Sequence, residues 1–315
     1  MMAVFVSCNQ PFDPRGELDP KPVVFSVIST DRNAQFVRVE RCYMPAGYDP
    51  TAYTADSFIS NAVVTINGAG QARELRDTTL LRSDTSRFNF PIRAFVANPL
   101  KAVYAGLYKL SVRLEGDEIA SGSFVMPGKP LLSLDLASIA VIDRPSEHDT
   151  TADILFPISF GDGTYGYIAH LFVYYDVLKN GEWVEERVEV PSRFVSSNYH
   201  DMNQVIYPQI TARGYSNKAV GAYKNVLYSG RLGQIAYAQY RHTQIIFNRI
   251  VFVVIQVEPN LYKYYNVAHL YRDPHSMRLD EPMYSSLTGG VGIFGGYTLD
   301  SLVHALPELF SFNHR

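Results

Sequence analysis

The stretch Glu281-Pro282-Met283-Tyr284-Ser285-Ser286-Leu287-Thr288-Gly289-Gly290-Val291-Gly292-Ile293-Phe294-Gly295-Gly296-Tyr297 constrains this chain more than any other. Five glycines fall within eight residues, with Val291, Ile293 and Phe294 set between them. Glycine lets other backbone pass close by, and interleaved apolar residues imply packing rather than looseness. The stretch is predicted to be a tight, ordered turn where the last strands close onto the body. Gly289, Gly290, Gly292, Phe294, Gly295 and Gly296 would then form a rigid structural or docking element. Gly290, Gly292 and Gly295 also spell G-x-G-x-x-G, the dinucleotide fingerprint. That motif needs a strand before it and a helix after it. Glu281 and Pro282 precede it here, so a closing turn is expected and no cofactor.

The 315 residues suit two domains of typical size. Hydrophobic content of 47% against 19% charged excludes a disordered chain. With 22 Tyr and 18 Phe and many β-branched runs, the composition favours strands. Net charge is −3 and no Lys/Arg block occurs, which argues against nucleic acid as a partner. No apolar run approaches the ~18 residues of a membrane-spanning helix.

The first half reads as strands at Pro22 to Ser29, Gln35 to Tyr43 and Asn61 to Asn67. The cleanest runs from Tyr108 to Glu115. Tyr108, Leu110, Val112 and Leu114 face one way, and Lys109, Ser111, Arg113 and Glu115 the other. Such alternation predicts one buried and one wet face. Gly116-Asp117 turns the chain, and Glu118 to Met126 returns beside it. Tyr108, two residues after Gly106 at the start of its strand, fits the tyrosine corner of immunoglobulin-like sandwiches, where the hydroxyl ties back to the preceding loop. The alternative is an ordinary half-buried Tyr. Pro127-Gly128-Lys129-Pro130 marks the domain boundary.

In the second half, His170 to Leu178 and Glu182 to Val190 flank Lys179-Asn180-Gly181, a strong type I′ hairpin signal. Arg193 to Thr243 is polar and Tyr-rich and predicts loops with one short helix. Ile245 to Val257 predicts a central strand. Pro259 to Tyr271 places Leu261, Tyr264, Tyr265 and Ala268 at helical spacing after a proline suited to the first turn. The expected fold is mostly β, with two β-sandwich domains. Residues 20–130 form an immunoglobulin-like sandwich. Residues 131–315 form a second β-rich domain with one short helix near the C-terminus and the glycine-rich turn.

Common catalytic and metal motifs are absent. His269, Asp273 and His275 cluster loosely, but Pro274 breaks the helix between them, so neither a metal nor a catalytic group is expected. Glu185 and Glu186 should point to opposite sides of a strand. Aromatic surface remains: Tyr43, Tyr48 and Tyr53, and Tyr199, Tyr207, Tyr215, Tyr223 and Tyr228, would suit a binding face, or else cap the ends of a sandwich.

Cys8 follows Val4-Phe5-Val6-Ser7 and precedes the polar, proline-broken Asn9 to Pro14. An apolar run, a small residue and then a cysteine is the end of a bacterial lipoprotein signal, which makes Cys8 a lipidation site. A plain N-terminal thiol is the alternative. Only seven residues precede Cys8 and none is Lys or Arg. A signal needs a charged start and an apolar core of roughly 7–15 residues, so a start upstream of Met1 is expected. Residues 1–19 are then a leader remnant and tether. Lipidation would anchor the protein to a membrane without spanning it.

Together these marks resemble a Bacteroidota outer-membrane lipoprotein family, a domain of unknown function often encoded beside TonB-dependent receptors. The likeness rests on Cys8 followed by Phe12-Asp13-Pro14, and on Ala105 to Leu110 with its return strand Glu118 to Pro127. It rests also on Leu261-Tyr262-Lys263-Tyr264-Tyr265 and, most specifically, on Glu281-Pro282 leading through Ser285-Ser286 to the Gly-Gly-x-Gly-x-Phe-Gly pattern at 289–295. The resemblance covers about Cys8 to Leu302. It implies a lipid-anchored outer-membrane protein with β-sandwich domains and no established catalytic residue, working with a TonB-dependent receptor in nutrient uptake. A structural lipoprotein that scaffolds the cell envelope is the alternative.

Overall fold

The computed structural model describes residues 21–43, 55–82, 85, 90–194, 205–240, 244–270 and 284–307. Strand outweighs helix by 54% to 14%, so the fold is mostly β. The first half contributes β1 (Pro22–Ser29), β2 (Gln35–Arg41), β3 (Val63–Gly68), β4 (Gln71–Glu74), β5 (Arg76–Leu80), β6 (Ile92–Ala97), β7 (Leu107–Leu114) and β8 (Asp117–Val125). After β9 (Leu131–Leu132) and α1 (Leu136–Asp143) come β10 (Asp153–Ser159), β11 (Gly166–Lys179), β12 (Glu182–Val190), β13 (Arg193–Phe194), β14 (Val205–Ile206), β15 (Thr211–Ala212) and β16 (Lys218–Lys224). The chain continues through α2 (Asn225–Tyr240), β17 (Ile245–Val257), α3 (Pro259–Leu270), β18 (Leu287–Thr288) and β19 (Val291–Ala305).

One long sheet runs β12-β11-β17-β19-β1-β2-β6-β5, and β15 adds to β11. A five-stranded sheet, β18-β8-β7-β3-β4, provides the other layer of a sandwich. Alternation in β7 explains the join: Tyr108, Leu110 and Val112 are buried, while Lys109 and Arg113 stay exposed. They meet Val24, Val37 and Val39 of the long sheet in one apolar core. The Tyr108 hydroxyl accepts a hydrogen bond from Val103 N at 2.8 Å, back in the loop before its strand. The Tyr108 ring stacks on Phe124 at 5.5 Å, and Phe124 meets Phe294 of β19 edge-on at 4.9 Å.

A second core lies where the three-stranded sheet β16-β10-β9 and the helices α1 and α2 cover β11 and β17. Phe156 of β10 stacks on Phe252 of β17 at 4.2 Å. The helix predicted at 259–271 is α3, but it is not alone. Alpha-helix also forms at α1, where the Asp135 carboxylate accepts from Ser138 N at 2.6 Å as the N-cap. The segment read as loops with one short helix holds β16 and the 16-residue α2. Leu227, Tyr228 and Leu232 of α2 are wholly buried. Its two glycines and polar residues hide this face from a periodicity count, and tertiary burial overrides their poor propensity. The Asn180-Gly181 hairpin forms with both φ values positive, 53° and 87°.

The glycine-rich stretch is not mainly a turn. Gly289 and Gly290 make a bend, and Gly292, Phe294, Gly295 and Gly296 lie on β19. β19 runs parallel to β1 and antiparallel to β17, and residues Ile293 to Gly296 are all buried. Both faces of the strand are covered, which is why side chains are missing there. A Cβ on Gly296 would lie 2.5 Å from the Phe124 ring, and one on Gly295 would lie 2.5 Å from the Glu258 carboxylate, beside Leu261 of α3. The glycines let a sandwich core press on one face and a helix on the other.

Gln256 of β17 pins the junction between the two cores. Its Nε2 donates to Gly128 O and Thr298 Oγ1, both at 2.9 Å. Its Oε1 accepts from Gly161 N at 2.9 Å, with Thr164 Oγ1 at 2.9 Å as well. Thr164 Oγ1 also lies 2.7 Å from Gly161 O, so its single proton serves one acceptor at a time.

Candidate functional site

A groove of about 830 Å³ crosses the outer face of the five-stranded sheet. It is built by the same alternation that builds the core: inward residues are apolar, and outward ones are small and polar. Register lines the outward residues up across four strands. Thr65 of β3 faces Ser111 of β7, Ser111 faces Ser121 of β8, and Ser121 faces Thr288 of β18. At about 4.8 Å between strands, this row of four hydroxyls spans roughly 14 Å. A second row, Asn67, Lys109 and Ser123, lies beside it. Arg113 stands on the far side of Ser111 and also lines the groove. Glu74 continues the hydroxyl row onto the edge strand β4, outside the lining.

One rim comes from the start of α3 and from the glycine-rich stretch. Asn260 Nδ2 donates to Ser123 O at 3.3 Å, and its Oδ1 accepts from the Tyr284 hydroxyl at 2.9 Å. Ser286 Oγ accepts from Phe294 N at 2.7 Å and donates to Phe294 O at 3.1 Å, clipping the rim to β19. The stretch thus serves both sheets: β18 edges the groove, and β19 lies inside the long sheet.

Beneath this rim sits Glu258, 1% exposed. Its carboxylate accepts from Asn260 N and Leu261 N, both at 2.7 Å, and from Gly296 N at 3.4 Å, so it caps α3. Burial pushes the carboxyl above its ordinary value, against the pull of those three amides. A raised folded value favours the protonated folded state. The stability it contributes is full below the ordinary value of 4.5 and is lost as pH rises through the raised one. The wild-type protein is therefore expected to lose melting temperature relative to Glu258→Gln as pH rises above 4.5. A difference that stays constant from acid to neutral pH would show that this group is not the source.

The sequence-predicted residues are distributed as follows. Cys8, Glu281 and Pro282 lie outside the described residues, as do Tyr48, Tyr53, Tyr199, Asp273 and His275. Gly289, Gly290, Gly292, Phe294, Gly295 and Gly296 lie at the seam behind the rim and do not line the groove. Tyr108 is on the core side of β7, opposite Lys109. The tyrosines do not form one face: Tyr207 and Tyr215 are exposed, while Tyr223 and Tyr228 belong to the second core. Glu185 pairs with Arg249 at 2.6 Å, while Glu186 pairs with Lys179 and accepts from the Tyr175 hydroxyl, so the two carboxylates act apart. Burial and Glu186 push the Tyr175 phenol up to about 12.

Lys109, Ser111 and Arg113 were legible as a wet face, but the hydroxyl row was not. It exists only through cross-strand register, which a single strand's pattern does not carry. No protein-family model matches this chain, and no curated protein matches it.

Proposed function

We propose that this protein is a non-catalytic binding or accessory protein of the outer membrane, anchored by lipid on Cys8 and partnered with a TonB-dependent receptor in nutrient uptake. The groove over the five-stranded sheet is the observation that carries the binding role. It is wide, polar and set in a sheet, and its rim is clipped to the buried stretch Ile293 to Gly296 of β19. Binding residues held on strands keep their geometry better than residues on loops. Anchor and receptor rest on the lipoprotein resemblance. Scaffolding through strand edges is less favoured, because the edge strand β12 carries Glu182, Glu185, Glu186, Arg187 and Glu189, and charge blunts edge pairing.

Affinity purification of the tagged, full-length protein from gently solubilised native membranes tests this. A TonB-dependent receptor recovered in near-equal amount supports the accessory role. Recovery of assembly or scaffold proteins alone overturns it in favour of a structural envelope role.

A further inference from the structure

We infer that the groove binds an acidic glycan, a polyhydroxylated chain carrying carboxylate or sulfate groups. This rests on the binding role just proposed and names its ligand class. Two features of the lining point there. Thr65, Ser121 and Thr288 offer hydroxyls in one row, on either side of Ser111, each able to donate and accept. A partner that is itself rich in hydroxyls can answer such groups along its whole length. Among the described residues the lining also holds two cations, Lys109 and Arg113, and no carboxylate. They stand on the same face of β7, two residues to either side of Ser111, so their backbones are about 13 Å apart. Within the described lining both charges are positive and sit at either side of the hydroxyl row, with Glu74 outside it and Glu118 the register partner of Arg113, and this pattern suits a ligand with anions spaced along it. The described lining contains no aromatic ring for a sugar face to stack on. Affinity must then come from hydrogen bonds and charge, which favours an acidic chain over a neutral one.

The test is calorimetric titration of the full-length protein with a galacturonate oligomer, a sulfated oligosaccharide, a neutral glucan oligomer of similar length and a single-stranded DNA oligomer. Binding of at least one acidic glycan is expected, weakened by salt, with the neutral oligomer and the DNA at least tenfold weaker. Lys109→Ala with Arg113→Ala should reduce that binding about tenfold or more, since it removes the charge-assisted hydrogen bonds to the ligand's anions. Ser121→Ala with Thr288→Val should reduce it without changing its salt dependence. All four positions face solvent or lie half-exposed, so the variants should melt with the wild type. Failure of both acidic glycans to bind overturns the inference, as does equal binding of the neutral oligomer or the DNA, or no loss in the double variants. Membrane purification reads the receptor partnership separately, so either idea can fail alone.

Discussion

Gly292→Ala is expected to destabilise the protein by about 4 kcal/mol, enough to abolish folding in a marginally stable chain. Two costs coincide at this position. Its φ is +119°, a backbone conformation that side chains rarely adopt, and a Cβ there would lie 2.2 Å from Val24 O. That oxygen belongs to β1, which pairs with β19 through seven residues, so it cannot withdraw without opening the ladder. Gly116→Ala separates the costs. Gly116 has φ +97° and nothing within 4 Å of its would-be Cβ, so only the backbone cost remains there, about 1 kcal/mol. Urea unfolding of both variants decides the matter. Similar small losses at the two positions would show that β1 yields and that the contact is not binding on the fold.

Gln256→Leu is expected to cost about 3 kcal/mol or more. Leucine fills a similar volume but strands Gly161 N, Gly128 O and the Thr298 hydroxyl around a wholly buried site, while the Thr164 hydroxyl keeps Gly161 O. A buried polar group left without a partner costs about 1–3 kcal/mol, and water has little room to replace the amide. Thr298→Val is the matched comparison. It removes one acceptor from the same knot and should cost about 1 kcal/mol. A Gln256→Leu variant no less stable than Thr298→Val would mean that the junction at Gly128 repacks without its polar centre.

The strand runs were legible because each was written locally. β7 alternates cleanly, β17 is apolar nearly throughout, and Asn180-Gly181 sets its own turn. α3 announced itself through Pro259 and the spacing of Leu261, Tyr264 and Tyr265. α2 did not, because Gly230 and Gly233 weaken its propensity and its burial depends on β12, β16, β17 and the Pro145–Glu147 turn packing around it. The glycine-rich stretch was correctly singled out as packed but read as a turn. Missing side chains look the same whether the chain must bend or must let two layers approach, and only the neighbours decide. The groove residues were visible one by one as solvent-facing Lys, Ser, Thr and Asn. What makes them a site is the pairing of four strands, two of which are separated by more than half of the chain.

The parallel pairing of β1 with β19 also dictates when the fold can be completed. Leu299 N donates to Thr30 Oγ1 across 269 positions of sequence. Until β19 is made, the first sandwich lacks the Phe294 ring against Phe124, and one edge of β1 has no neighbour. Contacts of such long range slow folding, because the intervening chain must be confined before they form. The nascent protein therefore carries an open strand edge and an unfilled apolar hole until β19 has been made. Both are closed together by one glycine-studded segment.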